Sequence, residues 1–368
     1  MISIVLFLNC LLYILSIIAL YYGFFKIKHF KSFGLKPITK FTIIVPFRNE
    51  AANLPILLES ISKLNYPLDL FEVILVDDDS TEKIQISNFK FQISVINNVR
   101  KSNSPKKDAI RTAMELVTTN WVITTDADCI VPQNWLLTYD NYIQQNELEM
   151  LAGAVTHQVQ DSFLHHFQQL DLASLQAATI GGFGLGHGFM CNGANFGYTK
   201  TFFHELNGFD GNDKIASGDD VFLLQKAIIQ SAEKVHYLKS KEAIVSTQPV
   251  SSWKLLFYQR VRWASKASSY QSRFAIGLGF AVIAGNFAIV LGILFLTLGL
   301  FTFQSFIFVC LSKFIVDSIM IYDANRFLSG DKIRYLLLSS LIYPFFNLSV
   351  ALYSLFGKYE WKGRVFKK

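Results

Sequence analysis

Trp121-Val122-Ile123-Thr124-Thr125-Asp126-Ala127-Asp128-Cys129 passes from β-prone apolar residues straight into two carboxylates. The apolar half is short and continuous, the pattern of a strand buried on both faces. In extended backbone residues i and i+2 point the same way, so Asp126 and Asp128 can face one ligand together. Runs of the same kind lie upstream at residues 41–45, 73–76 and 93–96. Helical patterns alternate with them at residues 54–61, with Asn53 as the N-cap, and at 106–117. Strands alternating with helices predict an α/β domain, a Rossmann-like, mostly parallel sheet covered by helices. In such sheets ligands bind at the carboxyl ends of the strands.

The polar residues at those ends therefore matter most. The run 73–76 stops at Asp77-Asp78-Asp79-Ser80-Thr81. Asp and Ser favour turns, yet three consecutive carboxylates exceed what a turn needs and repel unless a cation or donors face them. The Asp126/Asp128 pair suits Mg²⁺ or Mn²⁺, hard cations that take one or two carboxylates together with substrate phosphates. Asp219 and Asp220 follow Ser217-Gly218. They read either as a helix start, where the dipole favours carboxylates, or as a general base. Gln259, Arg262 and Trp263 stand at i, i+3 and i+4 on one helical face. That face is either an amphipathic surface at a membrane or part of a binding site.

Several classes are excluded. No GxGxxG follows the first strand and no GxxxxGK[ST] occurs, so neither a hydride-transferring dinucleotide enzyme nor a P-loop NTPase is supported. The glycine-rich run at residues 181–186 reads as a flexible loop. Cys10, Cys129, Cys191 and Cys310 are scattered, without metal or disulfide spacing. His157, His165, His166 and His187 read as solvated or interfacial side chains, with a zinc site as the lesser alternative and a phosphate contact as the alternative for His187. The net charge of +6 lacks the basic-aromatic patterning of a nucleic-acid binder.

Apolar residues make up 51 % of the 368, Phe occurs 34 times, and charged residues are 17 %. Residues 2–25 carry no charge and exceed the roughly 20 needed for a helical crossing. Without a cleavage signature they read as a transmembrane anchor at residues 1–25. Lys26, Lys28 and Lys31 place its far end in the cytoplasm by the positive-inside rule. Residues 37–271 form the cytoplasmic domain. Residues 274–357 hold about three further transmembrane helices, and 358–368 form a basic tail. The expected topology does not close: three crossings put that tail outside, where its basic residues do not belong. Lys313 and Asp317, one turn apart in an apolar segment, invite pairing.

Together these residues resemble family 2 glycosyltransferases of the GT-A fold. The matches run in the family's order: Val45-Pro46-Phe47-Arg48-Asn49-Glu50, Val76-Asp77-Asp78-Asp79-Ser80, Lys106-Lys107-Asp108-Ala109-Ile110, Asp126-Ala127-Asp128, Asn192-Gly193-Ala194-Asn195, Gly208-Phe209-Asp210, Asp219-Asp220 and the QxxRW pattern ending at Trp263. The layout and the tail Glu360-Trp361-Lys362-Gly363-Arg364 are similar to ceramide glucosyltransferases and their bacterial relatives. The resemblance implies that Pro46, Arg48, Glu50, Asp77, Asp78, Lys106, Asp126, Asp128 and Arg262 serve the donor. Asp126 and Asp128 would hold Mg²⁺ or Mn²⁺. Cys191, Asn192, Gly193, Gln259 and Trp263 would border the acceptor. Asp220 would be the catalytic base, with Asp219 as the alternative. Pro105 departs from the glycine usual before Lys106.

The implied activity is inverting transfer from a nucleotide-sugar, UDP-linked, to a membrane lipid or glycan acceptor. It would occur on the cytoplasmic face of an integral membrane protein, and the layout fits a bacterial inner membrane. A processive polysaccharide synthase shares QxxRW; a non-catalytic scaffold of the same fold and a transporter are the other classes considered.

Overall fold

The computed structural model describes residues 2–366 except 85, 87, 213, 214, 216, 267, 268, 362 and 363. The chain opens with helix α1 (Ile2–Lys26). Strands β1 (Phe41–Phe47), β2 (Phe71–Asp77), β3 (Gln92–Asn97) and β4 (Trp121–Thr124) follow, with α2 (Leu54–Ser62) and α3 (Pro105–Met114) between them. The expected strands and α2 lie where the apolar runs put them. Helix α3 ends earlier than its pattern suggested. Pro105 starts it, since the first helical turn needs no N–H there. Asn53 does not cap α2 with its side chain; its amide donates instead to Glu50 Oε2 at 2.6 Å.

After β5 (Cys129–Ile130) and α4 (Trp135–Ile143) come β6 (Met150–Gly153), β7 (Val155–His157) and the long helix α5 (Phe163–Gly184). Then follow β8 (Phe196–Thr199), α6 (Lys200–Glu205), α7 (Asp219–Ser231), β9 (Val235–Leu238), β10 (Val245–Thr247) and α8 (Trp253–Ser265). The main sheet runs β3-β2-β1-β4-β8-β6-β9, and β5-β10-β7 form a small second sheet. In the main sheet only β8 runs against its neighbours β4 and β6; the remaining pairings are parallel. The sheet is thus α/β and mostly parallel, as expected. Alternate residues split between two cores. Ile43 and Val45 face the layer of α2 and α4, while Ile44 faces α3, α5 and α7.

The glycine-rich run is not a loop. Gly181, Gly182 and Gly184 lie in the last turns of α5. The reason is a close helix crossing: a Cβ on Gly181 would strike the Leu20 carbonyl, and one on Gly184 the Gly23 carbonyl of α1. Small residues at this spacing let two helix backbones touch.

Three more apolar helices complete the fold: α9 (Arg273–Thr297), α10 (Phe303–Leu328) and α11 (Leu336–Phe356). With α1 they are the four helices among the described residues that are long and apolar enough to cross a membrane. Lys313 and Asp317 of α10 do pair, at 2.5 Å, and Tyr13 of α1 donates to the same carboxylate at 2.5 Å. The chain ends in a hairpin of β11 (Tyr359–Trp361) and β12 (Arg364–Phe366).

Helix α11 differs from the other three. At its start Arg334 pairs with Asp161 at 2.6 Å, and Tyr335 packs edge-on against Phe163. Midway, Phe346 meets Phe167 and Trp253. At its end Tyr353 packs on Phe257 and Tyr258 of α8. Both ends thus touch the α/β domain.

Candidate active site

The carboxyl ends of β1, β2 and β4, the start of α7 and the inner face of α8 enclose one cleft of about 890 Å³. Pro46, Arg48, Glu50, Asp78, Lys106, Asp126, Asp128, Cys191, Asn192, Gly193, Asp219, Asp220, Gln259, Arg262 and Trp263 all line it. Of the expected site residues only Asp77 is not in this lining. Its carboxylate accepts the Ser80 N–H at 2.9 Å, so it shapes the turn that the acidic run permits.

Four carboxylates meet at the centre. Lys106 Nζ lies 2.6 Å from Asp126 and 3.3 Å from Asp219. Burial disfavours its ammonium, but the two aspartates outweigh that and hold its pKa above the ordinary lysine range. Pro105 therefore does not keep Lys106 away from the cluster. Asp219 is pushed up by burial, against the pull of Lys106. Burial would raise Asp220 too. Lys266 at 3.4 Å, Lys106 and the N–H groups of Val221 and Gly193 hold it below the usual carboxylate range. Those N–H bonds measure 2.7 and 3.0 Å.

Glycine at position 193 leaves room for the Lys106–Asp219 pair beside the amide that reaches Asp220. A Cβ there would sit 2.9 Å from Asp219 Oδ2 and 3.1 Å from Lys106 Nζ. The neighbouring Asn195 is fully buried and braces this loop. It accepts from Trp135 Nε1 at 2.9 Å and Tyr139 at 2.8 Å, and donates to the Ala154 and Ala243 carbonyls.

Asp128 is the carboxylate most in need of a cation. Burial and the charge of Asp126 push it up to about 6. Among the described residues no group of three or more His, Cys, Asp or Glu side chains converges as a complete metal centre. Two carboxylates at one strand end, one of them raised by the charge of the other, fit a divalent ion completed by substrate oxygens.

At the end of the cleft beside β2, Asp78 is 5 % exposed. Asn98 donates to its Oδ1 at 2.7 Å, and Arg100 lies 3.6 Å from the same oxygen. Arg48 donates to the Asp78 carbonyl at 2.6 Å.

At the other end the cleft runs beneath α11. Asp171, Gln176, Tyr343, Phe346, Asn347 and Val350 continue its wall. Arg260 of α8 is buried there and pairs with Asp171 at 2.5 Å, its guanidinium lying 4.1 Å from the centre of the Trp263 ring. His157 on the same wall is pressed down to about 3, by burial first and then by Arg260, and is neutral. His187 is away from this chemistry, stacked on Phe274.

Sequence reasoning missed Lys266, Asp171, Arg260, Tyr343 and Arg364. Lys266 had a signal, since it stands four residues after Arg262 at the C-cap of α8. Arg260 is a variable position of the QxxRW pattern and nothing local marks Asp171; Arg364 stands in the tail that carries part of the resemblance, which gave it no role at the site.

Residues 42–206 match the family model described as glycosyl transferase family 2. No curated protein matches the chain. Among solved structures, the mannosyltransferase PcManGT from Pyrobaculum calidifontis, in complex with GDP-Man and Mn²⁺, aligns with a TM-score of 0.58 at 14 % identity. That alignment covers 94 % of this chain and 99 % of the other. TarS of S. aureus, residues 1–349, aligns with a TM-score of 0.44 at 15 % identity over 90 % of this chain and 96 % of that one.

Proposed function

We propose that this chain, a membrane-associated protein carrying a family 2 glycosyltransferase domain of the GT-A type, transfers one sugar from a nucleotide-sugar donor to a membrane lipid or lipid-linked acceptor. The observation that carries the lipid reading is the continuity of the cleft. It runs from Asp128 and Asp220 to a wall formed by Tyr343, Phe346, Asn347 and Val350 of an apolar helix. An acceptor headgroup can reach the carboxylates while its chains stay in lipid.

The donor, UDP-linked in this reading, lies with its nucleoside near Arg48, Glu50 and Asp78. Its diphosphate faces Lys106, Arg262 and the Asp126/Asp128 pair. Those aspartates would hold Mg²⁺ or Mn²⁺, which supplies charge stabilisation for the departing diphosphate. Arg262 adds a fixed positive charge at the same place. Asp220 is ionised across the physiological range, the state a base requires. Its oxygens are oriented by the Gly193 and Val221 N–H groups, and it takes the acceptor's proton in a single inverting displacement. Asp220→Asn is expected to abolish transfer and keep donor binding. Transfer surviving in Asp220→Asn but lost in Asp219→Asn moves the role to Asp219. Cys191, Asn192, Gly193, Gln259 and Trp263 border the acceptor.

Helix α11 supports a topology that closes. With α1, α9 and α10 crossing and α11 lying along the interface, the basic tail returns to the cytoplasmic side with the catalytic domain. The exposed Leu337, Leu341, Phe345 and Phe356 then face lipid.

Product mass tests the whole reading. Detergent-purified protein is incubated with Mn²⁺ or Mg²⁺, a panel of UDP- and GDP-sugars and a membrane lipid extract. A lipid heavier by one sugar is the expected result. A ladder of sugars would replace it with a processive synthase, and absence of product with every donor would favour the scaffold.

A further inference from the structure

The C-terminal hairpin reaches back to the nucleotide end of the cleft. Arg364, at the start of β12, pairs with Asp78 Oδ2. Its second nitrogen lies 3.5 Å from the Asp78 carbonyl and 3.8 Å from Asp79 Oδ2. Asp78 Oδ1 is already held by Asn98 at 2.7 Å. Both carboxylate oxygens of this buried aspartate are therefore fixed, one by Asn98, just past the end of β3, and one by a residue 286 positions away.

Asp78 lines the cleft; among the described residues Arg364 does not. The hairpin, resting against α8, thus leaves the cavity open and acts on its wall. Arginine suits this task, because its planar fork reaches a carboxylate and a neighbouring acceptor at once. The side chain is 25 % exposed, and with it removed Asp78 still faces Asn98 and Arg100.

We propose that Arg364 is a positioning residue of the donor site: the C-terminal hairpin fixes the Asp78 carboxylate in the orientation that receives the nucleoside. This rests on the nucleotide-sugar reading of the cleft. Without Arg364, Asp78 keeps Asn98 but loses the partner on its other oxygen. Each nucleotide bound must then order that carboxylate anew. The loss falls on binding, because the carboxylates at the reacting centre are untouched.

Calorimetry with UDP and with GDP, each with Mn²⁺, on the full-length protein tests this. Wild type, Arg364→Ala and Arg364→Lys are compared. For whichever diphosphate binds the wild type, Kd is expected to rise about tenfold in Arg364→Ala, with about half of that loss, on a logarithmic scale, recovered in Arg364→Lys. Donor KM is expected to follow, with kcat at saturating donor within about threefold of wild type and the melting temperature unchanged. Unchanged or tighter diphosphate binding in Arg364→Ala overturns this inference alone; tighter binding would make the hairpin a competitor for the nucleotide. An equal fall in kcat with unchanged KM overturns it too. No binding of either diphosphate to the wild type overturns the donor reading, and this inference with it.

Discussion

Replacing Asp128 by Asn should stabilise the metal-free protein. The Asp128 carboxyl is pushed up to about 6, from an ordinary 3.8, by burial and by Asp126. A carboxylate raised in the folded state makes folding prefer the protonated form. That preference costs nothing below the unfolded value, grows as pH rises towards the folded one, and is complete above about 6. At about 1.4 kcal/mol per pH unit the full cost at neutral pH is bounded by about 3 kcal/mol. Solvent at the cleft mouth screens part of it, leaving about 1–3 kcal/mol. Asn keeps the shape and removes the charge. Thermal unfolding of wild type and Asp128→Asn in detergent with chelator tests the argument. At pH 7.5 the variant should melt several degrees higher, at about 2–4 °C per kcal/mol for a domain of this size. The advantage should vanish near pH 4. Adding Mn²⁺ with a nucleoside diphosphate should raise the wild-type midpoint and leave the variant's nearly unmoved. A variant that melts below wild type at pH 7.5, or keeps its advantage at pH 4, refutes the reasoning.

Gly181→Leu should break the α1–α5 crossing, because the added Cβ meets the Leu20 backbone; about 3 kcal/mol or more of destabilisation would show as a lower melting temperature and poor yield. Lys313→Met strands Asp317 beside Tyr13 among the apolar helices and should cost about 3–5 kcal/mol. Much of that should return in Lys313→Met/Asp317→Leu, and a silent single variant would show that the pair carries no weight. Cysteines placed at Lys332 and Lys358, exposed just outside the two ends of α11, should be labelled from the same membrane side as the catalytic domain, and one at Leu298 from the opposite side. Labelling of positions 332 and 358 from opposite sides would make α11 a full crossing.

The strands were legible because each is a short apolar run closed by polar residues, and burial on both faces leaves little else those runs can become. The carboxylates were legible for a related reason: a charge at the end of a buried strand needs a partner. Asp126 and Asp219 find theirs in Lys106, and Asp220 finds its in Lys266, while Asp128 faces the like charge of Asp126. The glycine run misled because glycine's usual meaning is local freedom. Here its meaning lies in α1, some 160 residues upstream, and no local pattern records that. Asp77 misled in the opposite way, since three consecutive aspartates invite one function, while the turn itself takes the first.

Helix α11 is the larger lesson in what apolarity alone can say. Its composition matches a crossing helix, and composition carries no direction. Direction comes from what holds the ends. Arg334 on Asp161 and Tyr335 on Phe163 fix the start; Tyr353 on Phe257 and Arg364 on Asp78 fix the finish. A helix tied at both ends to one domain must lie along that domain's surface, so its side chains become wall as well as anchor. The same four contacts therefore bear on three questions: where the tail lies, why an apolar helix walls the far end of the cleft, and how a residue at the end of the chain comes to brace a strand laid down near its beginning.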